Sequence, residues 1–219
     1  MKPLLYTHPF SSYSQKVLIA LYENDTPFTA RTLSPEDPTA MTELTALSPL
    51  RKFPVLVDDG NVIAESSVII EYLMIYHPGE MRLIPSETRA ALEVRMMDRY
   101  FDNYVMTPMQ NIVADFLRAA DRRDPFGVAQ TKSQLTRVYE WLDGVMAGRR
   151  WAAGEQFSLA DCAAAPSLFY ADWVHEIAGN CPNLRAYRRR LLERPSFARA
   201  VDEARPYRGF FPPGAPARD

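Results

Sequence analysis

The stretch Phe53-Pro54-Val55-Leu56-Val57-Asp58-Asp59-Gly60-Asn61-Val62-Ile63-Ala64-Glu65-Ser66 changes its periodicity twice. Pro54 to Val57 and Asn61 to Ile63 are short apolar runs. Asp58-Asp59-Gly60 between them reads as a hairpin turn, with Gly60 free to take the positive φ that a tight turn needs. From Glu65 to Tyr76 the spacing becomes helical, with apolar groups at Val68, Ile69, Ile70, Tyr72, Leu73 and Ile75. They cover more than one stripe, which predicts a helix buried on two sides.

Toward the N-terminus, Leu4-Leu5-Tyr6 reads as a brief strand closed by the turn Thr7-His8-Pro9-Phe10. Ser11-Ser12 offers an N-cap to a helix whose apolar face is Val17, Leu18, Ala20 and Leu21. Phe28 to Leu33 alternates as a weak strand, and Glu36 to Leu47 has helical spacing until Pro49 stops it. The order is β-α-β-α-β-β-α. Beyond His77-Pro78-Gly79 only helical periodicity remains. Thr88 to Ala120 is a long amphipathic segment with a kink expected at Pro108. Leu135, Val138, Leu142 and Val145 mark the next helix, followed by Ser158 to Trp173, Asn183 to Leu192 and Ser196 to Ala204. The irregular tail Phe211 to Ala217 either covers a surface or stays loose. The fold class is therefore α/β plus all-α: a mixed domain over residues 1–80 and a helical domain over 86–219.

Composition narrows the function. The 219 residues are 47% hydrophobic and 24% charged, enough apolar material for a sizeable core and too much for disorder. Lys+Arg 25 against Asp+Glu 27 gives −2, so no global basic field exists to hold nucleic acid or anionic lipid. The run Arg188-Arg189-Arg190 reads as the solvated end of a helix. No segment approaches the ~18–20 consecutive apolar residues of a membrane helix, and the apolar start at Leu4-Leu5 is too short for a signal peptide. Cys162 and Cys181 are the only cysteines, which argues against a disulfide framework and for a reducing cytoplasm. His8, His77 and His175 have no ligand spacing, so no metal is expected.

Five motifs in order give the chain a resemblance. Phe10-Ser11-Ser12-Tyr13-Ser14-Gln15-Lys16-Val17 resembles the catalytic turn of the glutathione transferase superfamily. Ser48-Pro49-Leu50-Arg51-Lys52-Phe53-Pro54-Val55-Leu56 resembles its cis-proline segment, and Ala64-Glu65-Ser66 its glutathione-anchoring motif. Ser158-Leu159-Ala160-Asp161 resembles the N-capping motif of its core helix, and Arg194-Pro195-Ser196-Phe197 a C-terminal signature. The resemblance implies a thioredoxin-like domain followed by an all-helical domain, usually paired as a homodimer. The strings Ser11-Ser12-Tyr13-Ser14 and Thr107-Pro108-Met109-Gln110-Asn111 lean toward the serine-using zeta-like branch, which includes a maleylacetoacetate isomerase. Tyr13 stands where that branch carries Cys, and Phe53 where it usually carries Val.

On that resemblance the chain is expected to use glutathione as co-substrate, without a metal, and to add its thiolate to a small hydrophobic electrophile. The thiolate is the nucleophile, and a hydroxyl donor at a helix N-terminus favours it. Ser11 stands there, with Ser12 one position along as the alternative; read from local sequence alone, a plain helix cap is the favoured role of Ser11. The backbone at Phe53-Pro54 is expected to pair with the cysteinyl part of the tripeptide. Glu65 suits the ammonium of the γ-glutamyl end and Ser66 its carboxylate, while Arg51 and Lys52 stand near the expected glycyl carboxylate. Phe10, Tyr104, Thr107 and Asn111 are candidates for the second-substrate pocket, with Tyr100 and Phe116 as further candidates at helical spacing. Ser158 and Asp161 read as folding residues. Two other classes compete: a non-catalytic binding module of the same fold, and a thiol–disulfide oxidoreductase. The intact tripeptide site argues against the first, and the absence of cysteine at the first helix against the second.

Overall fold

In the computed structural model, which describes residues 2–219, β1 (Leu4–Thr7), β2 (Thr29–Thr32), β3 (Val55–Asp58) and β4 (Asn61–Ala64) form one four-stranded sheet of order β2-β1-β3-β4. β1 runs parallel to β2, because α1 (Ser12–Glu23) carries the chain back across the sheet between them. β3 is antiparallel to both β1 and β4. Asp58 pairs with Asn61, so Asp59 and Gly60 form a two-residue loop, both at positive φ (48° and 80°). That conformation matches the twist of the flanking strands, and Asp-Gly is a pair well suited to it.

Side chains on a strand alternate between faces, and this separates two cores. Leu5 and Leu56 join the main core with Val17, Ile19, Ile69 and Ile70 of α1 and α3 (Ser66–Tyr76). Tyr6 and Val55, one position along, face Ala40 and Leu44 of α2 (Pro38–Leu47). Each fully buried aliphatic side chain contributes roughly 1.5–3 kcal/mol. The rest of the chain is helical: α4 (Thr88–Tyr100), α5 (Thr107–Phe116), α6 (Pro125–Met146), α7 (Leu159–Val174), α8 (Pro182–Leu192) and α9 (Pro195–Ala204). α7 is buried from Leu159 to Asp172, and its Ala163-Ala164-Ala165 run lets α1 and α4 approach closely. A thioredoxin-like layer thus docks through α1 onto a helical bundle centred on α7.

Three expectations change. Ahead of Pro108 the helical segment changes its winding. Phe101–Met106, between α4 and α5, is a π-helical stretch in which the Thr107 N–H donates to the Asp102 carbonyl. A proline ring clashes with the carbonyl four residues back and offers no N–H, and the wider turn ahead of Pro108 makes that room. Second, α3 buries one stripe, Ile69, Ile70 and Leu73, while Val68, Ile75 and Tyr76 stay exposed in the single chain. Third, Arg188 is not solvated like its neighbours, since it is largely buried beside Asp172, with Nη2 at 3.4 Å from the carboxylate. The tail settles onto the bundle. Phe211 is buried against Trp173 and Phe10, and Asp219 pairs with Arg205 and Arg208.

Candidate functional site

The helical rod formed by α4, the π-helical stretch and α5 passes beside the N-terminal ends of α1 and α3. Between them lies a cavity of about 340 Å³. Tyr13, Lys52, Phe53, Pro54, Glu65 and Ser66 line it from the sheet domain. Arg99, Asp102, Thr107 and Gln110 line it from the helical domain. The Phe53–Pro54 peptide is cis.

Glu65 is the N-cap of α3 with φ 69° and ψ 116°, and its side chain makes no capping bond. An L-residue at such a φ is strained, at a cost of order 1–3 kcal/mol, and strain of this kind gathers at ligand-binding positions. The conformation leaves its carboxylate in the cavity wall beside the opening N–H groups of α3, which have no intrahelical acceptor. Arg51, also at positive φ (52°), is exposed on the preceding loop and is not part of the wall, whereas Lys52 is.

Ser11 is the N-cap of α1, and its Oγ accepts from the Ser14 N–H at 3.4 Å. Accepting leaves the hydroxyl proton available to donate, so the capping role and a role toward a thiolate are compatible. Ser12 is buried at the first position of the helix. Both serines border a second cavity of about 360 Å³, walled by Phe10, Met109, Val113, Leu117, Tyr170 and the tail residues Phe210 to Pro212. Gln110 lies in the walls of both cavities and links them.

Behind the first cavity a charged cluster joins the two domains. Lys16 of α1 is 1% exposed; its ammonium donates to Asp102 at 2.8 Å and Ser67 Oγ at 2.8 Å and pairs with Asp98 Oδ1 at 2.5 Å. Arg99 approaches the same two carboxylates from the solvent side, at 2.6 Å each. Burial raises the Asp102 carboxyl above its usual range, although Lys16 and Arg99 pull it down. The same burial, with Asp102 nearby, pushes the Tyr13 phenol up to about 12, so Tyr13 is a neutral donor at physiological pH.

The remaining residues singled out from the sequence lie elsewhere. Tyr104 and Asn111 line a separate cleft of about 620 Å³ between the rod and α6, where Tyr100 stacks on Trp141 at 4.7 Å. Thr107 faces both that cleft and the first cavity. Phe116 sits outside all three, under the Arg123 guanidinium. Although the cleft is the largest and most apolar, it contains none of Ser11, Glu65 and Ser66, so it is not the candidate site. Reading the sequence missed Tyr13, Arg99, Asp102 and Gln110. For Arg99, Asp102 and Gln110 the signal available was recurrence at helical spacing along the rod, which looks like any polar face, whereas Tyr13 lies on α1. Ser158 and Asp161 line neither cavity: the Ser158 N–H and hydroxyl donate to the Asp161 carboxylate inside the bundle. Among the described residues no group of three or more His, Cys, Asp or Glu is placed to hold a metal ion, and no helix is long and apolar enough to cross a membrane.

Comparison with known proteins agrees with this architecture. Residues 5–81 match the family model of the glutathione S-transferase N-terminal domain, and residues 109–195 that of the glutathione S-transferase C-terminal domain. A probable maleylacetoacetate isomerase of Caenorhabditis elegans is 26% identical over 211 residues, covering 95% of this chain and 97% of that protein. Among solved structures, a glutathione S-transferase of Methylobacterium radiotolerans in complex with glutathione sulfonate superposes with a TM-score of 0.79 at 28% identity, covering 92% of this chain and 95% of its own. A glutathione S-transferase of Methylobacillus flagellatus with glutathione bound gives 0.78 at 26% identity, covering 91% and 98%. With a thioredoxin-like sheet domain docked on a helical bundle and both domains matched in order, the chain belongs to the glutathione S-transferase superfamily.

Proposed function

We propose that this chain is a glutathione transferase that binds reduced glutathione in the 340 Å³ cavity and adds its thiolate to a small hydrophobic electrophile held in the cavity beside Ser11. The observation that carries the reading is the charge layout. Glu65 and Ser66 stand together in a wall that also includes Lys52, and the neighbouring cavity is apolar and opens at Ser11 and Ser12. A tripeptide with a zwitterionic γ-glutamyl end and a carboxylate at its other end matches that layout. The Ser11 hydroxyl and the N-terminus of α1 both favour an ionised sulfur over a thiol. Two bacterial transferases of the same fold, at 26% and 28% identity, carry glutathione or its sulfonate, which supports the ligand. The serine-using branch is the nearest in motif, and the 26%-identical isomerase relative favours, as second reading, glutathione-dependent isomerisation of a maleylacetoacetate-type substrate in the same cavities.

The reading includes a cytoplasmic homodimer with a role in detoxification. α3 and α4 leave Val68, Ile75, Tyr76, Leu92 and Met96 exposed, and a second copy would cover that apolar face isologously.

Two measurements test the chemistry. Glu65→Ala should weaken glutathione binding in a calorimetric titration by roughly 1.5–3 kcal/mol, or ~10- to 150-fold, the scale of a charge-assisted hydrogen bond. Equal affinities for the two proteins overturn the assignment. Ser11→Ala should raise the pKa of the bound glutathione thiol, read by thiolate absorbance against pH, while affinity changes little. A tenfold loss of acidity corresponds to ~1.4 kcal/mol of lost preference for the anion. The control is Ser12→Ala. A changed thiol titration with Ser12→Ala alone moves the role by one residue. No change with either leaves the chain a binding module without a hydroxyl-stabilised thiolate.

A further inference from the structure

At one end of the first cavity, three polar groups have no hydrogen-bond partner among the described residues. They are the Glu65 carboxylate, the Ser66 hydroxyl and Nη1 of Arg99. The Arg99 side chain is 49% exposed, yet its guanidinium is held. Nε and Nη2 donate to Asp98 at 3.0 and 2.6 Å, and Nη2 also reaches Asp102 and Ser67. The planar fork is therefore fixed along its Nε–Nη2 edge, on a side chain that also lines the cavity.

Arg99 is not the sole counter-charge of Asp98 and Asp102, because Lys16 grips both from the buried side. Two cations against two carboxylates make the cluster neutral, so Arg99 can accept a third carboxylate at its free edge. The geometry points to Arg99 as the residue that binds the α-carboxylate of the γ-glutamyl end of glutathione, with Ser66 on the same group and Glu65 on the adjacent ammonium. This assignment rests on the glutathione reading and adds to it a specificity-determining residue from the helical domain. It has a structural consequence. Ser66 belongs to the sheet domain and Arg99 to the helical one, so the bound carboxylate bridges the two above the Lys16 cluster.

The test uses three ligands that differ only at the γ-glutamyl end: glutathione, the analogue lacking the α-carboxylate, and the analogue lacking the α-amino group. Each is titrated calorimetrically into the wild-type chain, Arg99→Met and Arg99→Lys. Arg99→Met should weaken glutathione and the amine-free analogue about tenfold or more, the scale of one charged hydrogen bond, and leave the carboxylate-free analogue unchanged. Arg99→Lys keeps the charge without the fork and should fall between. Arg99→Met and wild type should melt alike to within a few degrees, because Lys16 still holds both carboxylates. Equal weakening of all three ligands by Arg99→Met, or no weakening of any, overturns the assignment while leaving the glutathione reading intact. Failure of the wild-type chain to bind glutathione overturns both.

Discussion

Asp161→Ala is expected to destabilise the protein by about 3–5 kcal/mol, which at ~2–4 °C per kcal/mol for a chain of this size is a large drop in Tm. The reason lies in four donors converging on one buried carboxylate. The Ala152 N–H donates at 2.8 Å and the Tyr187 hydroxyl at 2.6 Å to Oδ1, while the Ser158 N–H and hydroxyl donate at 2.9 and 3.0 Å to Oδ2. None of the four reaches water when the carboxylate is deleted, and each unsatisfied buried group costs ~1–3 kcal/mol. Asp161→Asn should recover only part, because an amide has one acceptor oxygen and turns its NH₂ toward the other two donors. Tyr187→Phe removes a single donor and should cost about 1 kcal/mol. Burial also pushes the Asp161 carboxyl up to about 6 against these hydrogen bonds. A folded-state pKa above the unfolded value near 4 makes this group's contribution fullest below about pH 4, declining as pH rises through 6. Both Asp161 variants should lose that slope in denaturant titrations run across pH 4–7. Because Asp161 lines neither cavity, the folded Asp161→Ala protein should keep its glutathione affinity. Unchanged stability together with lost affinity would contradict the structural role.

Features with local determinants were legible in the sequence. The Asp59-Gly60 loop, the Ser11 cap and the helix start at Glu65 follow from residue types within a few positions of each other, and the structure has all three. Phe53, Glu65 and Ser66, marked by the family resemblance, stand together in the cavity wall. Residues whose surroundings come from distant parts of the chain were not legible. Nothing within a few positions of Lys16, or of Arg99 between Asp98 and Asp102, says that these charges meet. Only the docking of α1 on the rod, across more than eighty residues of sequence, turns Lys16 inward and makes these charges one cluster. The π-helical stretch belongs with them. The proline that demands room is visible at 108, but the place where the chain widens is set by Phe101, Val105 and Met106 packing in the core. Tyr104, a second-substrate candidate from its helical spacing, and Asn111, a candidate from the motif, both line the cleft beside α6.

Lys16→Met is expected to cost roughly 3–5 kcal/mol, because it leaves Asp98 and Asp102 buried and facing each other with only the half-exposed Arg99 between them. Methionine matches the lysine stem in size, so the loss is of charge and hydrogen bonds more than of packing. The pH dependence separates this from a simple core defect. Burial already raises the Asp102 carboxyl, and removing the ammonium beside it raises it further. A carboxyl with a raised folded-state pKa favours the native state most at acid pH and loses that advantage as pH climbs through its folded value. The gap between Lys16→Met and wild type should therefore narrow on going from pH 8 to pH 5, where protonation relieves the repulsion. Adding Asp102→Asn should restore part of the stability at pH 8, giving a double-mutant coupling of order 1–3 kcal/mol. A functional effect should accompany the structural one. Without Lys16, Arg99 becomes the sole counter-charge for two carboxylates and is drawn toward them, away from the cavity edge it shares with Ser66 and Glu65. Glutathione affinity should then fall together with stability in Lys16→Met and return with Asp102→Asn, which frees Arg99 again. A stability gap that stays constant between pH 5 and pH 8, with no coupling to Asp102, would mean that Lys16 holds the domains together by packing alone.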